Sequence, residues 1–144
     1  MVPVIIHPRP SLEAATRLLT SASLPSSDLT DAHMEHFFFC GPSFAPTGLA
    51  GFEVCGPDAL LRSLVVVPDH RAQGVGKQLV AHVECEAGAR GVKAIYLLTT
   101  TAEAFFARCG YGTSERAQAP EGIRATREFS GLCPATSAFM TKRL

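Results

Sequence analysis

The sequence predicts an α/β domain of the α+β kind, with a mixed, mainly antiparallel central sheet flanked by helices. Three observations predict it. Residues 48–55 and 59–67 are apolar, partly β-branched segments meeting at the turn tripeptide Gly56-Pro57-Asp58, which reads as an antiparallel hairpin. Val75, Leu79, Val83 and Ala87 recur at four-residue spacing and mark an amphipathic helix directly after that hairpin. Strand and helix patterns then alternate to the end of the chain.

Taken in order, residues 2–7 read as a short strand. Ser11 is an N-cap for a helix carrying Leu12, Ala15, Leu18 and Leu19 on one face. The Leu24-Pro25 loop leads to a second helix starting near Asp28, with Leu29, Ala32, Met34 and His36 before the aromatic run Phe37-Phe38-Phe39. After the hairpin, the helix over residues 74–90 ends at Gly91 with Arg90 in its last turn. Residues 93–99 form a strand, 102–109 a short helix closed by Gly110, and 138–143 a terminal strand, reached through a glycine- and proline-punctuated loop.

Composition narrows the partners. At 144 residues the chain suits one domain over residues 1–144. Thirteen basic and thirteen acidic residues cancel, leaving no electrostatic footprint for a nucleic acid or an anionic membrane. No stretch has the uncharged apolar length that spans a bilayer, so the chain is expected to be neither secreted nor membrane-spanning. Five widely spaced cysteines, 40, 55, 85, 109 and 133, suggest neither a disulfide framework nor a metal site. A reducing cytoplasm fits. No repeat with a period of about twenty to fifty residues occurs.

The chemistry concentrates at Arg71-Ala72-Gln73-Gly74-Val75-Gly76-Lys77, between the strand ending at Val67-Pro68 and the strongest helix. Backbone N–H groups converge there on a helix N-terminus, and two glycines let an anion approach without a Cβ in the way. Lys77 or Arg71 adds charge. A strand-to-helix turn whose glycines only relieve strain has the same local pattern. The P-loop GxxxxGK[ST] is missing, which removes a nucleotide enzyme of that type.

The segment resembles the R-x-x-G-x-G signature of GNAT acetyltransferases, and Leu64-Val65-Val66 before it looks like that family's cofactor-facing strand. Downstream, Ala102-Glu103-Ala104-Phe105-Phe106-Ala107-Arg108-Cys109-Gly110-Tyr111 is similar to the family's A-x-x-F-Y-x-x-x-G-F segment. The resemblance implies a GNAT acyl-CoA N-acyltransferase fold with acetyl-CoA as cosubstrate, its pyrophosphate on residues 71–77 and no metal. It also implies that the strands over residues 61–67 and 93–99 splay apart to admit the pantetheine arm, with Leu64 and Val66 pairing to it and the Val66 N–H near the thioester carbonyl. Thr99, Phe105 and Phe106 fall in the cofactor region. An amine then attacks the thioester directly. The position that often supplies a tyrosine as acid is Phe106, and Tyr111 aligns with a core position. A catalytically silent acyl-CoA-binding sensor is the alternative.

Around that frame, Glu53 lies in an apolar, glycine-rich strand, either as a base facing inward or on a solvated face. Arg62 within the run 60–67 clamps a substrate oxyanion or pairs with Glu53 across the hairpin. Ser63 and Thr99 orient an acceptor or serve packing. His33, His36 and Cys133 are further candidates, each with an ordinary structural reading. Leu60-Leu61-Arg62-Ser63-Leu64, residues 96–103 and the ending from Leu132-Cys133-Pro134 to Met140 resemble the arsenic-resistance N-acetyltransferases of arsenic operons. That resemblance implies detoxification by acetylating the amine of a small molecule, such as an arsenical or an amino-acid analogue. The superfamily resemblance also brings the expectation of a homodimer, through an exposed face or the terminal strand.

Overall fold

The computed structural model describes residues 2–144. Its strands are β1 (His7–Pro8), β2 (Phe37–Cys40), β3 (Gly48–Cys55), β4 (Asp58–Val66), β5 (Ala94–Thr99), β6 (Gly112–Thr113) and β7 (Ala138–Arg143). They form one sheet in the order β1-β2-β3-β4-β5-β7-β6. Every neighbouring pair is antiparallel except β4 and β5, which run parallel. The helices are α1 (Leu12–Ser21), α2 (Val75–Ala89), α3 (Glu103–Arg108) and α4 (Glu121–Arg124). Among the described residues, no helix is long and apolar enough to cross a membrane.

The hairpin forms as the sequence predicts, β3 against β4. Its alternation changes phase part-way. Leu49 pairs with Val65 and Gly51 with Arg62, so Ala50 alone faces both Ser63 and Leu64, a β-bulge on β4. Ser63 carries the extra residue at φ 62°, a left-handed conformation costing a non-glycine residue about 1–2 kcal/mol. Before the bulge Ala59 and Leu61 pack under α2; after it Leu64 and Val66 do. Arg62 follows Leu60 onto the opposite face by ordinary alternation, and the bulge brings Val65 to that same face.

α2 buries Val75, Leu79, Val80, Val83 and Ala87 against Phe38, Phe52, Ile95 and Leu97 on one face of the sheet. On the other face α1 packs Ala15 and Leu19 on Phe37, Leu49 and Val65, while Ile123 of α4 meets Leu60 and Phe139. Gly51 is required where β2 crosses closest, because a Cβ there would lie 2.4 Å from Phe37 Cδ1. Ser11 caps α1 as expected, its Oγ accepting from the Ala14 N–H at 3.1 Å. Ser11→Ala is expected to lower stability by about 1 kcal/mol in urea unfolding.

Three readings need correction. Only His7–Pro8 of the N-terminal segment joins the sheet. Prolines 3, 8 and 10 deprive it of ladder donors, and Gln78 of α2 holds it instead, accepting from Val4 N and donating to Val2 O. The second helix does not start at Asp28; a 3-10 turn covers Asp31–His36, capped by Thr30 and His33, which leaves the Asp28 carboxylate free to serve Arg62. The region before β7 is not simply a loop. It holds β6, a 3-10 turn (Arg116–Gln118), α4 and one π-helical turn (Glu128–Leu132).

Candidate active site

β4 and β5 are paired only over Asp58–Ala94, Ala59–Ile95 and Leu60–Tyr96. Beyond Leu60 they part. The opening holds a cavity of about 550 Å³ between Leu61, Arg62, Ser63 and Leu64 on one side and the 97–102 segment on the other, roofed by Leu24-Pro25 and Leu132-Cys133-Pro134. A second cavity of about 360 Å³ shares Leu24, Leu64, Thr101 and Ala102 with the first and extends past Val66 and Phe105 to Arg71 and Gly76. Together they make one trough, running from the opened sheet to the N-terminus of α2.

At that N-terminus Ala72 has φ 64° and Gly74, the N-cap, φ 78°. Alternating signs of φ turn successive N–H groups toward one point. No side chain caps α2, so the amides of its first turn are open to an anion, with the helix dipole behind them. Val75 is buried and offers only its backbone, while Ala72, Gln73 and Lys77 are exposed. Arg71 folds back so that its Nε donates to Val66 O at 3.0 Å. Gly76 allows α3 close, since a Cβ there would meet Phe105 Cζ at 3.3 Å.

Residues 35–113, more than half of the chain, match the family model of the acetyltransferase (GNAT) domain. The chain belongs to the GNAT acetyltransferases. The amino-acid acetyltransferase of Ralstonia nicotianae is 38% identical over 61 residues, covering 42% of this GNAT chain and 14% of that protein. N-acetylglutamate synthase from Neisseria gonorrhoeae, solved with coenzyme A and N-acetyl-glutamate, superposes with a TM-score of 0.81 at 22% identity, over 100% of this chain and 36% of that one. Rv2747 from Mycobacterium tuberculosis, in complex with CoA and NLQ, gives 0.78 at 19% identity, over 97% and 99%. These structures establish the fold; this GNAT chain spans about a third of the synthase.

Ten of the sequence-predicted residues line the two cavities, while Ala72, Gln73, Gly74, Val75 and Lys77 of the loop, and Glu53, line neither. Leu64, Val65, Val66, Arg71, Gly76 and Phe105 line the smaller cavity, and Arg62, Ser63, Thr99 and Phe106 the larger. Thr99 Oγ1 accepts from Ala102 N at 3.0 Å and so starts α3. Phe106 is buried, edge-on to Phe105 and Tyr111. Tyr111 stays in the core, its hydroxyl donating to Glu84 Oε2 at 3.0 Å; burial and that carboxylate push its pKa up. His36 stacks on Phe52, away from the trough, and burial with Arg90 lowers its pKa.

Arg62 has a fully buried side chain, and its partners are all protein groups. Nη1 donates to Asp28 Oδ2 at 2.6 Å and Glu53 Oε2 at 2.8 Å, Nη2 to Asp28 Oδ1 at 2.9 Å, and Nε to Ser63 Oγ at 3.1 Å. Glu128 Oε2 lies 3.2 Å from Nη2. Of the two readings open for Arg62, this geometry is the ion pair with Glu53, widened to three carboxylates. Glu53 is spent on Arg62 and does not line either cavity. Donor atoms of Asp28, His33 and Glu53 lie within 4.8 Å of one another, and both carboxylates are already hydrogen-bonded to Arg62.

Sequence reasoning missed Asp28, Glu128 and Ser137. Burial pushes the Asp28 carboxyl up, and the Arg62 hydrogen bonds and charge outweigh it, holding the pKa below the ordinary value. For Glu128 burial wins over Arg62, with Asp28 and Glu53 adding to it, and the pKa is raised to about 7. Burial and Glu128 push the Cys133 thiol up to about 12, the opposite of a reactive thiolate.

The Glu128 shift has a sign. Between about pH 4.5 and 7 the folded chain keeps a proton that the unfolded chain has lost, so this contribution to stability falls as pH rises. Wild type is expected to lose on the order of 3 kcal/mol from this group between pH 4.5 and 8. In melting curves at the two pH values, Glu128→Gln should lose correspondingly less; equal slopes would refute the assignment.

Proposed function

We propose that this chain is an acetyl-CoA-dependent N-acetyltransferase moving an acetyl group to the amine of a small molecule within a ternary complex. The observation that carries the reading is the continuous trough from the parted β4–β5 edge to the uncapped N-terminus of α2. An extended pantetheine arm fits beside β4, which has no strand partner there beyond Leu60. The amides of residues 72–77 suit a pyrophosphate, with Lys77 at the surface beside them.

The cosubstrate supplies an activated acyl carbonyl. The acceptor nitrogen forms a bond to that carbonyl carbon, the C–S bond breaks, and the thiol sulfur leaves with its electron pair. The backbone amides of β4 beside the opening are the chain's own donors for the developing oxyanion. Phe106 has no proton to give, and a thiolate leaves acceptably without one because thiols are weakly basic.

Phe106 also supports a second reading, an acyl-CoA-binding sensor without turnover. The finer reading, a cytoplasmic enzyme acting on an arsenical or other toxic amine, is supported by the resemblance over residues 60–64, 96–103 and 132–140 and by five free cysteines. Release of coenzyme A thiol from acetyl-CoA with a panel of amines tests the reading. Acceptor-dependent release is expected; tight binding without release on any acceptor would favour the sensor.

A further inference from the structure

Among the described residues, the charged groups lining the larger cavity are Arg62 and Glu128. Arg62 is committed to Asp28 on both Nη atoms, to Glu53 and to Ser63. One guanidinium thus stands among three carboxylates, Asp28, Glu53 and Glu128, and the cluster lacks positive charge. Glu128, 4% exposed, is the carboxylate of the three that lines the cavity.

A second group lining the cavity is also incomplete. Ser137 lines the cavity, is 5% exposed, and its Oγ has no hydrogen-bond partner among the described residues. Buried hydroxyls are normally satisfied, and one left open beside a cavity marks a place for a ligand's donor or acceptor. A carboxylate and an unpaired hydroxyl lining one cavity match an ammonium group. They oppose a second carboxylate, which would meet no free cation among the lining residues.

We propose that the acceptor is a cationic amine bearing no carboxylate next to its amino group, and that Glu128 receives the ammonium and takes its proton before acetyl transfer. The inference rests on the N-acetyltransferase reading and specifies its substrate class. The protons balance. The ammonium gives one proton to Glu128, which passes it to solvent, and the second N–H proton lost from nitrogen leaves with the coenzyme A thiolate as its thiol. The groups facing Glu128 are Arg62, Asp28, Glu53 and Cys133, and its raised pKa places its titration near neutrality, where a base for this step works best.

The test uses the wild-type chain with acetyl-CoA and matched pairs differing only by the carboxylate: tyramine and tyrosine, histamine and histidine, agmatine and arginine. Thiol release should favour the decarboxylated member by roughly tenfold or more in kcat/KM. Glu128→Gln should lower kcat roughly a hundredfold and abolish the rise in kcat/KM near pH 7, while the variant stays folded and still binds acetyl-CoA, its melting differing from wild type in the weaker pH dependence described above. Preference for the amino acids, or an unchanged pH profile in Glu128→Gln, would overturn the inference while leaving acetyl transfer standing. Acetyl-CoA bound without turnover of any pair would overturn it too. Failure to bind acetyl-CoA would instead remove the N-acetyltransferase reading beneath it.

Discussion

Arg62→Ala is expected to destabilise the chain by about 3–5 kcal/mol, because it leaves three carboxylates in a buried site without their cation. For a chain of this length that corresponds to a fall in melting temperature of roughly 10 °C. The loss should depend on pH. At pH 8 Asp28, Glu53 and Glu128 repel one another, whereas at pH 5 Glu128 is protonated even in the intact cluster, so the penalty shrinks. Calorimetric melting at both pH values checks this. A penalty below about 1 kcal/mol at pH 8 would mean that Arg62 is not the structural centre of the cluster. An activity loss in Arg62→Ala is expected to follow this stability loss, through a disordered wall of the cavity.

Gly74→Val should show the second large effect, on cofactor affinity. Gly74 sits at φ 78° as the N-cap of α2, a conformation that a β-branched residue resists. The substituted loop is expected to leave that conformation and carry the converging N–H groups away from the anion position. Losing one charge-assisted hydrogen bond costs about 1.5–3 kcal/mol, or roughly ten- to hundredfold in coenzyme A affinity. Stability should fall by only about 1–2 kcal/mol. Titration of the folded variant with coenzyme A separates the two; unchanged affinity would mean that the loop is a strain-relieving turn and holds no phosphate.

Local signals explain which parts of this architecture were legible in advance. The β3–β4 hairpin, α2 and β7 announce themselves through β-branched runs, a turn tripeptide and four-residue spacing, and the structure places them within a residue or two of the predicted bounds. The loop over residues 71–77 could be located for the same reason, being one contiguous segment between a strand and a helix; that it holds the cofactor is the proposal. The bulge at Ser63 was not, since nothing in Arg62-Ser63-Leu64 marks a left-handed serine, and the bulge decides that Leu64 and Val66 face α2 while Val65 faces α1. Asp28 and Glu128 were equally hidden. They reach Arg62 across 34 and 66 positions of chain, and only the tertiary fold brings them together. α4 was not foreseen: Pro120 precedes it as the N-cap residue, and in Pro- and Gly-rich surroundings a helix of four residues has too little periodicity to stand out from a loop. The N-terminal segment shows the reverse, apolar residues read as strand whose prolines leave them tied to Gln78 instead.

In the proposed complex one trough holds acetyl-CoA along its whole length, the thioester at the parted strands and the pyrophosphate at the start of α2. Isothermal titration of the purified chain with acetyl-CoA, and separately with acetyl-pantetheine, which has the thioester arm without the pyrophosphate, tests it most directly. The account predicts one acetyl-CoA per chain and binding of acetyl-pantetheine weaker by roughly tenfold or more, the worth of at least one charge-assisted hydrogen bond. Equal affinity for the two ligands, or no binding of acetyl-CoA, would contradict it.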